Sequence, residues 1–325
     1  MRGPPRDAGR AHRTRPVLAF ATLAVIAACS SSSSSGPGTP HAPFYVSLNQ
    51  QGAVVYLTAG VGAGGTVDTL FGNNTGIQFP SGVATDASGK LYVEISSPAE
   101  VLIFAAGAKG NVAPAATLQG ASTQLSLPLG LALDKNGVLY ATNFNAHRVT
   151  IFAAGATGNT APMATIEGAS TKMRFPHGVT VDNLGNIYVA CQTDSIDSGS
   201  VTVYAAGANG NVAPTAMITG PNTGLHEPSG IALDSAGNIY VSNLKDSSIV
   251  VFTAGANGNV APMARIVGTN TGLRYPNGLA VDGATNLYVA NYGAGGILVF
   301  ASGANGNVTP AYNIPLAGGP MGITF

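Results

Sequence analysis

Two imidazoles and three carboxylates, His177, Asp194, Asp197, His226 and Glu227, interrupt an otherwise regular pattern of residues in the middle of the chain. Brought together, such side chains could hold a divalent cation or orient a polar ligand. In proton-transfer chemistry His177 would serve as general base, with His226 and Glu227 as ligand or acid. Asn143, Asn243 and Asn291 add three amides that recur at one place in the pattern. They would hydrogen-bond a neighbouring turn or point toward a ligand-binding rim. Cys191 lies in an apolar segment with no histidine beside it in sequence, so it reads as a small buried residue and not as a nucleophile. These candidates are scattered along the chain, and their chemistry depends on elements that gather them.

Composition limits what those elements can be. The chain has 325 residues, 45% hydrophobic and 9% charged, with 44 glycines, 20 prolines and no tryptophan. A core of that apolar content can fold, and the abundance of turn residues favours many short strands over long helices. The formal net charge is zero, but Arg2, Arg6, Arg10, Arg13 and Arg15 face a single acid, Asp7, at the start. Without residues 1–28 the chain carries nine basic and thirteen acidic side chains. No basic surface is left to follow a nucleic acid backbone.

Val17 to Ala28 form a twelve-residue apolar run, shorter than the ~20 residues that span a bilayer. It reads as the hydrophobic part of a secretion signal. The run ends in Ile26, Ala27, Ala28 and Cys29, which resembles the lipobox of bacterial lipoproteins. That resemblance implies acylation of Cys29 and attachment to a membrane surface through lipid alone. Ser30 follows the cysteine where the family's inner-membrane retention signal has aspartate, which resembles the class sorted to the outer membrane or cell surface where the host is diderm. Residues 29–42, rich in serine, glycine and proline, form the tether.

Residues 43–325 are repetitive. Pro-x-Gly recurs at Pro80, Pro128, Pro176, Pro228, Pro276 and Pro320, with spacings of 48, 48, 52, 48 and 44 residues. Asp86, Asp134, Asp182, Asp234 and Asp282 keep the same register, as do Tyr92, Tyr140, Tyr188, Tyr240 and Tyr288. A period of this size marks an array of supersecondary units. In the unit from Glu227 to Arg274, apolar runs at Gly230 to Leu233, Ile239 to Ser242, Ile249 to Phe252 and Ala264 to Val267 stand between turn signals, and predict four short strands. The first three are apolar on both faces, as in sheets stacked between other sheets. Ala84, Ala132, Ala232 and Ala280 occupy one position of the first strand, where small side chains would suit a crowded axis.

The segment from Pro176 to Ala190, PHGVTVDNLGNIYVA, resembles the NHL-repeat family. The resemblance runs from about residue 43 to the end and implies an all-β, six-bladed β-propeller with four-stranded blades. Five full units begin at Phe79, Leu127, Phe175, Glu227 and Tyr275. Phe44 to Ser47, Ala53 to Leu57 and Thr66 to Phe71 match the last three strands of a sixth, and Pro320 to Phe325 matches its first strand. The ring would close by pairing the C-terminal strand within the N-terminal blade, which removes an exposed edge. A monomer is the expectation.

Residues present in every unit serve the scaffold. The Asp-x-x-Gly-Asn segments read as turns with glycine at positive φ. The repeated AAGAKGNVAP-type loops, such as Ala105 to Pro114, link the third and fourth strands on the lower face and lack the lysine and hydroxyl of a phosphate loop. His177 stands where other units have Ser81, Leu129, Ser229, Asn277 and Met321, at the channel mouth. With His226, Glu227, Asp194 and Asp197 it would share the upper face.

Two functions follow as expectations. One is an envelope-anchored, non-catalytic module that recognises a protein, glycan or small ligand. The alternative is a metal-assisted lyase or lactonase: NHL-like propellers resemble streptogramin lyases, peptide-amidating lyases and the gluconolactonase group, and Phe175 to Val179, FPHGV, echoes the first of these. No histidine follows His226, so a set of histidines in later blades is missing.

Overall fold

The structure is a computed structural model, and it describes residues 43–58, 67–193 and 198–325. The leader, Cys29 and the tether lie outside the described residues, as do Asp194 and Asp197. No helix among the described residues is long and apolar enough to cross a membrane.

Six four-stranded antiparallel sheets form the ring, and in each the strands a to d run outward from the axis. Blade 1 comprises Pro80–Thr85, Leu91–Ile95, Glu100–Phe104 and Ala116–Gln119. Blade 2 comprises Pro128–Leu133, Leu139–Asn143, Arg148–Phe152 and Ala164–Ile166. Blade 3 has Pro176–Val181, Ile187–Gln192, Gly199–Tyr204 and Ala216–Thr219; blade 4 has Pro228–Leu233, Ile239–Asn243, Ser248–Phe252 and Ala264–Ile266. Blade 5 is Pro276–Val281, Leu287–Asn291, Ile297–Phe300 and Tyr312–Ile314. Blade 6 joins the two ends of the chain: Pro320–Thr324 is its strand a, and Phe44–Leu48, Ala53–Leu57 and Val67–Phe71 complete it. Tyr45 pairs with Thr324, Val46 with Ile323 and Leu48 with Pro320. Phe325 then packs edge-on against Phe44 and Tyr288, sealing the seam onto blade 5.

Each of the six apolar clusters lies between two neighbouring blades, as both-face burial of the strands requires. The alanines of strand a point into these clusters, Ala84 beside Tyr92 and Ala280 beside Tyr288. The crowding at the axis therefore falls on a different residue, the glycine of Pro-x-Gly. A Cβ on Gly130, Gly178, Gly230, Gly278 or Gly322 would sit 2.3, 2.4, 2.1, 2.3 or 2.5 Å from the next blade's carbonyl oxygen. Only a residue without a side chain permits that approach.

The a–b turns behave as expected. The Asp Oδ1 of all five accepts two backbone N–H groups, as Asp234 does from Ala236 and Asn238 at 2.9 Å. Gly237 takes a φ of 82°. The c–d loops do more than turn. Gly110, Gly158, Gly210, Gly258 and Gly306 bridge in parallel to strand d of the preceding blade. Asn111, Asn159, Asn211, Asn259 and Asn307 accept from backbone amides beyond that strand. The repeated loop is thus a clasp that covers a neighbour's free edge.

Gly230→Ala is expected to destabilise the protein by ~3 kcal/mol or more through overpacking, whereas Gly255→Ala, at a φ of 75° with no atom within 4 Å, costs about 1 kcal/mol. Urea midpoints of the two variants check the order; equal losses would contradict axial crowding.

Candidate functional site

We define the top face as the one carrying the b–c turns and d–a connections. At its centre a channel of about 80 Å³ is lined by strand a of all six blades. The residue between proline and glycine contributes Ser81, Leu129, His177, Ser229, Asn277 and Met321. His177 therefore lies where its sequence position implied, but it is buried at 7% exposure and tied to the ring. Its N–H donates to the carbonyl of Ser229, while burial, the larger effect, lowers its pKa to about 4. It is neutral at pH 7, and a proton affinity that low suits a general base poorly.

Strand b completes the ring of contacts. Ser47, Thr142 and Ser242 donate their hydroxyls at 2.6 Å to the carbonyls of Ser81, His177 and Asn277 in the next blade. The equivalent position is alanine in blades 3 and 5 (Ala190 and Ala290) and glutamate in blade 1. Where Ala190 offers no donor, His177 supplies one to Ser229. Glu94 is fully buried: its Oε2 accepts from Ser81 Oγ at 3.2 Å and Gly82 N at 3.3 Å, and its Oε1 has no hydrogen-bond partner. Burial pushes its carboxyl up to about 8, outweighing both hydrogen bonds, so the group is protonated at neutral pH. Sequence reasoning passed over Glu94. Comparing strand b across blades, where hydroxyl or methyl is the rule, would have revealed it.

The other candidates disperse. His226 faces away from the channel, with Nδ1 2.8 Å from Asp246 Oδ2, and lines a separate cavity of about 260 Å³ with Ser198, Thr219 and Gly220. Arg265 Nη2 also reaches Asp246, at 2.5 Å, so His226 belongs to a hydrogen-bonded network around Asp246 on blade 4. Glu227 precedes Pro228 with a φ of 51°. Asn143, Asn243 and Asn291 do not reach the rim: they are buried, and their Oδ1 atoms accept from Ser126, His226 and Arg274 N–H. Each holds the preceding d–a connection against its own blade. His147 and Arg148 are both engaged: His147 Nδ1 accepts the Phe175 amide at 2.9 Å, and Arg148 bonds Gln124 and Glu167. Among the described residues no group of three His, Cys, Asp or Glu side chains could hold a metal. Cys191 is a free, buried thiol raised to about 11 by desolvation, an inert core residue.

One backbone feature of this face was not legible. Phe79, Leu127, Phe175, Glu227, Tyr275 and Gly319, each preceding a strand-a proline, all have positive φ between 41° and 65°. Bulky residues rarely adopt that region. The conformation is common to the six blades, whereas the side chain changes from one to the next. Phe79 is 61% and Tyr275 51% exposed, while Phe175 packs on Phe144 and His147.

A family model described as the SMP-30/gluconolactonase/LRE-like region matches residues 154–325, more than half of the chain. The chain belongs to the SMP-30/gluconolactonase/LRE-like family. An NHL-repeat model matches residues 125–152 of the same SMP-30/gluconolactonase-like ring. Among solved structures, a chain of a nidogen/laminin complex superposes with a TM-score of 0.63 at 15% identity, covering 88% of this chain and 98% of that one. A gluconolactonase of Xanthomonas campestris gives 0.57 at 18%, covering 89% and 91%, and a streptogramin B lyase gives 0.54 at 12%, covering 82% and 80%. At these identities the likeness is one of fold. No curated protein matches the chain by sequence.

The two channel groups give opposite pH dependences. Glu94 holds its proton more tightly folded than unfolded, so its contribution to stability declines as pH rises from 4.5 through about 8. His177 holds its proton less tightly folded, so its contribution declines as pH falls from 6.5 through about 4. Glu100 is raised in the same direction as Glu94. Stability should therefore drop by roughly 2 kcal/mol between about pH 6.5 and 8.5, and Glu94→Gln should remove most of that drop. Urea unfolding at the two pH values checks this; an unchanged drop in the variant would contradict the assignment.

Proposed function

We propose that this protein is a non-catalytic recognition propeller held at the cell envelope by lipid on Cys29, with its top face as the binding surface. The observation that carries the reading is the display of Phe79 and Tyr275 on backbone that the ring holds in an unfavourable conformation. A strained position that presents a different side chain in each blade suits recognition, in the way that rigid scaffolds position variable contact residues. Exposed aromatics are the side chains most often central to binding surfaces. The polar groups of the channel support the same view, because Ser47, Thr142, Ser242 and His177 spend their donors on neighbouring backbone. Anchoring is supported by the arginines, apolar run and Ala-Ala-Cys of residues 1–29.

Family membership favours a second reading, a lactonase-type hydrolase working at the channel mouth. Metal-assisted hydrolysis needs three or more converging ligands, and the described residues do not supply such a group.

With the purified protein immobilised, the Phe79→Ala/Tyr275→Ala pair should lose at least about tenfold in retention of separated envelope protein or polysaccharide fractions, while His177→Ala retains it. Metal-dependent turnover of a sugar lactone, abolished by His177→Ala, would replace this reading with the hydrolase. In cells, Cys29→Ser should abolish labelled-palmitate incorporation and release the protein from the membrane fraction; incorporation that persists would remove the anchor.

A further inference from the structure

A third cavity, of about 440 Å³, opens on the top face where blade 6 meets blade 1. Its volume falls within the range of small-ligand sites. One side-chain contact made in two other blades is missing beside it. In blades 2 and 4 the last residue of the b–c turn, His147 or Ser247, has a φ of 51° or 52°. Its side chain accepts the amide of the next blade's pre-proline residue: Phe175 N to His147 Nδ1 at 2.9 Å, and Tyr275 N to Ser247 Oγ at 3.2 Å. Strand pairing puts Gly52, with a φ of 60°, at the same place in blade 6. Glycine has nothing to offer the Phe79 amide, and among the described residues no other side chain bonds it. A Cβ on Gly52 would itself meet the Ile77 carbonyl oxygen at 2.9 Å.

What lines that space is chemically uniform. Asn49, Gln50, Gln51, Asn73 and Gln78 bring five primary amides and no charge. Phe71 and Phe79 flank them with rings 49% and 61% exposed. Asn49 Nδ2 donates to Pro80 O and Gln50 Nε2 to Tyr292 OH, and the Gln50 and Gln51 side chains lie against Gly319 and Gly318 at the blade 5 side of the turn. An amide both donates and accepts, as a sugar hydroxyl does, so paired hydroxyls of a pyranose can satisfy such groups in both senses. The apolar C–H face of the same ring covers an exposed phenyl. A charged ligand would surrender its hydration without an opposite charge to replace it.

We propose that the blade 6–blade 1 cleft binds a neutral saccharide, with Phe71 and Phe79 as stacking platforms and the amides of Asn49, Asn73 and Gln78 as the hydroxyl-reading groups. The inference rests on the recognition reading above and names its ligand class and its place.

The purified protein on an array of neutral oligosaccharides, printed beside uronate-, sialate- and sulfate-bearing counterparts, tests this. Retention is expected on neutral glycans. In titrations of the best-retained one, Phe79→Ala and Phe71→Ala should each weaken binding roughly tenfold. Both rings are exposed, so unfolding midpoints should stay unchanged. Gln78→Ala should weaken binding similarly, and Met263→Ala, at an exposed residue of the opposite face, should leave it unaltered. Retention of no neutral glycan, preference for acidic glycans, or indifference to both phenylalanine substitutions would overturn the proposal. A silent array alongside retention of envelope protein would end the saccharide inference alone. Glycan binding lost in Tyr275→Ala but kept in Phe79→Ala would preserve recognition and remove this cleft.

Discussion

The contact between the Pro-x-Gly glycine of one blade and the carbonyl of the next governs this molecule. Six inner strands must meet around one axis, and the approach leaves no room for a Cβ at five of the six glycines. The carbonyls brought in by this packing need donors, because buried acceptors without partners are costly. Hydroxyls from strand b answer in blades 2, 4 and 6, and His177 does so where strand b has alanine. At Gly82 the pattern changes: a Cβ there would meet the Glu94 carboxylate and Leu131 N instead. Glu94 is thus a titrating substitute in a ring otherwise built from groups that do not ionise near neutrality, and the protein's pH response is concentrated there.

Outside this ring the repeat separates backbone from side chain. Turn aspartates, pre-proline conformations and clasp asparagines repeat around the circle, and their hydrogen bonds are internal. Variation is left to positions whose backbone is already held. Phe79, Leu127, Phe175, Glu227 and Tyr275 share one conformation and no common chemistry. The b–c turns show the same division. His147, Ser247 and Gly52 share a left-handed φ, and what each carries decides whether the next blade's pre-proline amide gains a side-chain acceptor. A binding surface can change in such a scaffold without altering closure.

Much of the fold was legible because propeller order is written as periodicity. The register of Pro-x-Gly and the matching terminal fragments fixed blade number and seam, and the Asp-x-x-Gly-Asn turns formed as their chemistry required. The site was less legible, because sequence position does not say which way a loop residue faces. His177 opens strand a of blade 3 and His226 lies in the connection to blade 4, yet one points to the axis and the other to Asp246. The three asparagines at the ends of strand b face inward, since the amides of the preceding connection need acceptors there. Alanine conservation between blades suggested axial crowding, but blade twist puts those side chains between sheets and leaves the axis to glycine. Gly52 gave no signal, because its effect is an absence that only register across blades exposes.

Closure of the ring by Pro320–Thr324 on Phe44–Leu48 underlies every placement of mouth, rim and cleft. Amide hydrogen exchange of the native protein, followed by fragment mass spectrometry, reads that seam directly. Peptides covering 44–48 and 320–325 should exchange as slowly as the inner strands of blades 2 to 4, through cooperative opening of the ring. Exchange at the rate of a frayed terminus, with the remaining blades still protected, would contradict the closed six-bladed ring.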